Sequence, residues 1–106
     1  MTQREIKTVI EEVFAVYRRF SFLNRLNLPA VPKEAQLCKT IDAVVEHLDP
    51  IERCLVNERY MKRTRVSDLE VYSQIITPPV CAVTYSNIRR EAFTKLIVAF
   101  KEIGIV

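Results

Sequence analysis

Apolar residues return every three or four positions over most of the chain, and that period predicts helices. Near the start, Ile6, Val9, Ile10, Val13, Phe14 and Tyr17 share one stripe, while Lys7, Glu11, Glu12 and Arg18 hold other positions. Thr2 stands three residues before Glu5, the spacing of a capping box. An amphipathic helix is expected from about Gln3 to Phe20, with room to continue through Leu23 and Leu26. Its apolar stripe can cover the domain's own core or pair with a second subunit in a homodimer.

Pro29 and Pro32 then interrupt the pattern, since each lacks a donor and pushes its predecessor out of the helical region. A second helix is predicted over about Lys33 to Leu48, with Leu37, Ile41, Val44, Val45 and Leu48 inward and Cys38 beside them. Asp49, Pro50 and Glu52 form a helix start: a cap, a proline at the first position and the third member of a capping box. The helix that follows should turn Ile51, Leu55 and Tyr60 inward. Ser67 and Glu70 repeat the capping spacing and predict a short helix over Asp68 to Ile75, burying Leu69, Tyr72 and Ile75 or Ile76. After Thr77-Pro78-Pro79, a last helix is expected from about Cys81 to Lys101. Its inner positions are Tyr85, Ile88, Ala92, Leu96 and Ala99, with Phe93 and Phe100 alongside. The predicted fold is all-α with about five helices in a single domain, residues 1–106. An N-terminal helical part (1–48) precedes a C-terminal part (49–106).

Composition agrees with this picture. The 106 residues are 49% apolar and 27% charged, enough for one small core. The single glycine, Gly104, speaks against hairpins and phosphate-cradling loops, which use glycine for positive φ or close backbone approach. The first 50 residues carry seven cations and seven acids; the other 56 carry nine and six, which gives the net charge of +3. Arg59, Lys62, Arg63 and Arg65 form a stretch without an acid. Such a bias suits a nucleic-acid surface and also an ordinary solvated helix face.

Catalytic chemistry has little to work with. His47 is the only histidine, adjacent Glu11 and Glu12 do not face each other on a helix, and no phosphate or dinucleotide fingerprint is present. The expectation is a protein that is not an enzyme and needs no cofactor. Cys38, Cys54 and Cys81 are isolated, without metal-ligand spacing, so no metal is expected and all three read as buried reduced thiols. The charged start, MTQREIKTVIEE, lacks the apolar core of a signal peptide, and no apolar run reaches the length of a membrane span. These features point to the cytoplasm and to no membrane partner.

The pattern that rises above this background is a short helix, a stiff turn and a longer helix over Asp68 to Lys101. In a helix-turn-helix the first helix braces the second, whose N-terminal residues enter the major groove. Thr84, Ser86, Asn87 and Arg90 project from the outer face there. Asn can pair with adenine, Arg with guanine, and Thr can meet a thymine methyl. Helical proteins that touch no DNA share such geometry, so the pattern alone leaves a DNA reader and a protein-interaction module open.

The stretch ERCLVNERYMKR, then VSDLEVYSQI, then TYSNIRREAFTKL resembles the C-terminal region of ArpU/RinA-type phage transcriptional regulators. The matching residues are Glu52-Arg53, Arg59-Tyr60, Asp68, Val71-Tyr72, Thr84-Tyr85, Ile88-Arg89, Ala92-Phe93 and Lys95-Leu96. The same stretch is similar to sigma-factor region 4, itself a helix-turn-helix. The likeness covers roughly residues 49–106. It departs from the family's pattern in its Pro78-Pro79 turn, in Ser86 where a second tyrosine is usual, and in the cap of the last helix, where the usual Ser or Thr is replaced by Thr77, or by nothing if the helix starts at Cys81. The resemblance implies a phage or prophage regulator that activates late packaging or lysis genes through promoter DNA and host RNA polymerase. On that footing Thr84, Asn87 and Arg90 would read bases, and Arg63, Arg65, Arg89 and Lys95 would grip phosphates. The alternative is a helical module that binds RNA polymerase or another regulator with little DNA affinity.

Overall fold

The computed structural model describes residues 1–28 and 32–106, and within them the chain is all-helical, with no strand. The helices are α1 (Gln3–Arg25), α2 (Pro32–Glu46), α3 (Pro50–Val56), α4 (Asp68–Glu70) and α5 (Ala82–Glu102). The break expected at Pro29 lies outside the described residues.

α1 runs past Phe20 and stops for a reason other than proline. Asn27 takes a left-handed φ of 54°, which its short polar side chain tolerates. The Leu28 amide then donates to the Leu23 carbonyl at 3.2 Å and the Asn27 amide to Asn24 at 3.1 Å. That is a Schellman ending. α5 ends the same way. Gly104, at φ 78°, lets the Ile105 amide reach the Phe100 carbonyl at 2.9 Å.

Two π-helical turns extend the short helices. α3 continues through Asn57–Met61, where the Lys62 amide bonds the Asn57 carbonyl at 3.1 Å. α4 continues through Val71–Ile75, where the Ile76 amide bonds Val71 at 2.9 Å. A π turn aligns residues five apart rather than three or four. Leu55 and Tyr60 are therefore both buried, as are Val71 and Ile76. Two expectations of inward side chains are corrected. Leu69 is 60% exposed, with Val71 turned inward in its place, and Ile51 is exposed while Glu52 is buried.

α5 fills the centre. Phe14 of α1 meets Phe100 (ring centroids 6.3 Å apart) and Tyr60 (5.9 Å), and Tyr60 meets Phe93 (5.6 Å). Ile10, Ile41, Leu55, Val56, Ala92 and Leu96 complete a sealed interior. α5 packs chiefly on α1 and α3. Its expected partner α4 meets it through side chains, with the Tyr72 and Tyr85 rings 5.2 Å apart. Tyr85, Ala92 and Leu96 are buried as expected, whereas Tyr72 and Ile88 are half-buried at the core's edge.

Candidate nucleic-acid interface

The turn before α5 is anchored at its far end by the Val80 amide, which donates to the Tyr72 carbonyl at 3.1 Å. The Thr77–Pro78 peptide is cis. The cap of α5 is Cys81: its Sγ accepts from the Thr84 amide at 3.5 Å and lies 3.2 Å from the Thr84 hydroxyl. Those two contacts with Thr84 lower the thiol pKa. Cys81 is exposed, which corrects the reading of three buried thiols. Cys38 and Cys54 are half-buried, and burial raises both of their pKa values.

Thr84, Asn87 and Arg90 all lie exposed on the first turns of α5. Val83, 72% exposed, adds an apolar side chain to the same end. The opposite side is pinned by Asp68, the first residue of α4. Its Oδ1 accepts from Arg59 Nε at 2.8 Å and from the Tyr85 hydroxyl, and its Oδ2 from Arg89 Nη1 at 3.2 Å. Arg59 also donates to the Val66 carbonyl at 2.9 Å, which fixes the loop leading into α4. Burial opposes the Arg59 charge, but the Asp68 carboxylate together with Tyr60 and Tyr85 outweighs it and holds the guanidinium pKa above its ordinary value. Burial and the bond to Asp68 push the Tyr85 pKa up. One carboxylate thus ties together the end of α3, the brace helix and the start of α5.

The four cations assigned to phosphates fall into two groups. Arg89 belongs to the Asp68 network. Lys95 reaches Glu52 Oε1 at 2.8 Å and Asp49 Oδ2 at 3.4 Å, so it neutralises an otherwise buried acid at the start of α3. Arg63 and Arg65 are exposed in the loop after the first π turn. Arg63 lies 4.6 Å over the Phe22 ring of α1. Neither has an ion-pair partner among the described residues.

A groove of about 370 Å³ adjoins this end of α5, where Arg4 and Lys7 of α1 face Ser86, Arg89, Arg90 and Phe93. The pattern of α1 gave no hint of it, because what Arg4 and Lys7 face depends on the placement of α5. Among the described residues no group of three or more His, Cys, Asp or Glu side chains is placed to hold a metal ion. No described helix is long and apolar enough to cross a membrane.

Comparison with protein-family models, curated proteins and solved structures finds no match to this chain. The functional reading therefore stands on the site itself. It offers an exposed Val-Thr-Asn-Arg face on a pinned helix, with cations on its flank.

Proposed function

We propose that this chain is a phage or prophage transcriptional regulator of the ArpU/RinA type, which binds double-stranded DNA through the first turns of a sigma-region-4-like α5. Through that contact and host RNA polymerase it activates late packaging or lysis genes. The observation that carries the reading is the exposure of Thr84, Asn87 and Arg90 together on a helix whose inner side is locked by Asp68. Asn87 suits the adenine edge and Arg90 the guanine edge, and Val83 with Thr84 suits a thymine methyl. Arg63 and Arg65, free of acids, supply phosphate contact. Arg89 and Lys95 gain less from a phosphate because each already has a carboxylate, and they act first to position α5.

The test starts by selecting a preferred duplex from a random pool. Asn87→Ala or Arg90→Ala should then cost about 1–3 kcal/mol on that duplex and little on random DNA. Arg63→Ala or Arg65→Ala should weaken both, with the salt slope lower by about one unit. A parent protein that holds no duplex at low salt would transfer the function to the second reading, a module that binds RNA polymerase or another regulator. That reading has its own support. An apolar groove of about 490 Å³ runs between α2 and α5, lined by Val44, Leu48, Ala99 and Ile103, with His47 and Lys95 at its edge.

A further inference from the structure

α1 has a second face whose purpose the core does not explain. Arg4, Lys7, Glu11, Arg18 and Arg25 are spaced by three, four, seven and seven residues, so they fall on one side of the helix. Glu11 is the only acid among them. α1 and α5 run in the same direction: Arg4 and Lys7 line a groove with Ser86 and Arg90, while Val16 and Phe20 line another with Ile103 and Ile105. The basic side of α1 therefore begins beside the exposed end of α5. At its other end, Arg25 shares a cleft with Arg63, Phe22 and Met61. Arg65 stands close enough to Arg18 to lower its pKa, after the larger effect of burial. The rise of an α-helix puts Arg4 and Arg25 about 30 Å apart.

Most of these charges are uncommitted. The ion pairs among the described residues occupy Arg59, Lys62, Arg89 and Lys95. Arg4, Lys7, Arg25, Arg63, Arg65 and Arg90 take no part in them. Arg18 differs, since its guanidinium donates to the Tyr60 carbonyl and serves the fold. Like charges gathered along one edge repel one another, and Glu11, which acts on Arg18, is the one acid on that face to offset the cost, so the arrangement suits an external polyanion.

We propose that α1 lies along the phosphate backbone of the bound duplex, with Arg4 and Lys7 gripping it beside α5 and Arg25 gripping it beside Arg63. This assignment rests on the DNA-binding reading and gives the N-terminal helix a role within it. Arg90 stands at the border, between the outer face of α5 and the groove that holds Arg4 and Lys7. The contacts carry no sequence information; they set the register and angle of α5 on the duplex.

The experiment measures binding of a short random-sequence duplex by fluorescence anisotropy across a salt series, using the full chain. The parent is compared with the doubles Arg4→Ala/Lys7→Ala and Arg63→Ala/Arg65→Ala, with Arg25→Ala, and with Lys39→Ala, an exposed residue of α2, as the control. Far-ultraviolet circular dichroism verifies the helix content of each. The Arg4/Lys7 double should lower the salt slope by about two units and Arg25→Ala by about one, because each lost contact releases one fewer counterion. Lys39→Ala should leave the slope unchanged. Amine acetylation read by mass spectrometry gives a check without mutation: saturating duplex should protect Lys7 and leave Lys39 reactive. A folded Arg4/Lys7 double with the parent's slope, beside an Arg63/Arg65 double that lowers it, would remove α1 from the interface and leave the DNA reading standing. Equal acetylation of Lys7 with and without duplex would do the same. A parent with no affinity for the duplex at low salt would overturn both together.

Discussion

Replacing Asp68 with alanine removes the acceptor shared by Arg59, Tyr85 and Arg89. A hydrogen bond to a charged group is worth about 1.5–3 kcal/mol when well buried. Here the side chains of Arg59, Arg89 and Asp68 are 22%, 27% and 32% exposed, so solvent screening reduces each bond to about 1 kcal/mol. The Tyr85 hydroxyl, on a residue only 2% exposed, would lose its partner and add a desolvation cost of about 1 kcal/mol or more. The three bonds share one carboxylate and are not independent, so the expected loss is about 2–4 kcal/mol rather than a larger simple sum. Urea unfolding followed by circular dichroism at the helix band measures it. With a slope of about 2 kcal/mol/M, the middle of the range for a small protein, the midpoint should fall by about 1–2 M. Asp68→Asn, which keeps an oxygen but not the charge, should fall between. Exposed Glu70→Ala, two residues away, should change little, because the Ser67 cap uses the Glu70 backbone amide and not its side chain. A loss for Asp68→Ala under about 0.5 kcal/mol, the level of ordinary surface sites, would refute the idea that this carboxylate holds α5 in place.

Leu96 is fully buried, so Leu96→Ala should cost about 2–5 kcal/mol in the same assay, and a change at the surface level would move it out of the core. Alkylation of the native protein, mapped by mass spectrometry, should modify Cys81 first and at lower pH than Cys38 or Cys54, because its pKa is lowered and theirs are raised. Uniform labelling of all three would contradict the cap geometry. Tyr17 and Tyr85 have folded pKa values raised above their ordinary 10.0, first by burial and then by bonds to Asp42 and Asp68. Their protonated forms stabilise the fold below that value, and the contribution falls as pH climbs above about 10. Stability should therefore drop on the alkaline side, and Tyr17→Phe/Tyr85→Phe should flatten that limb of the pH curve.

Local rules determined much of this protein. The period of apolar residues placed the helices, and the pairs Thr2/Glu5, Asp49/Glu52 and Ser67/Glu70 placed three of their starts, because capping is settled by residues three apart. The exposure of Thr84, Asn87 and Arg90 was legible for the same reason: once α5 is amphipathic, residues opposite Tyr85 and Ala92 face solvent. Other features depended on tertiary packing. The π turns realign residues five apart, which exposed Leu69 and buried Val71, and nothing in a repeat of three or four announces them. The cap of α5 was not legible, since capping favours Ser, Thr, Asp and Asn and an isolated cysteine points to the interior, whereas Cys81 is exposed and caps the helix. Arg59 and Arg89 lie 9 and 21 residues from Asp68, so their common carboxylate arises only when α3, α4 and α5 converge. Glu52 likewise tolerates burial because folding brings Lys95 to it from 43 residues away. The basic edge of α1 could be counted from its spacing, but its place beside α5 is a consequence of two helices packed in parallel, which no local pattern of charge contains.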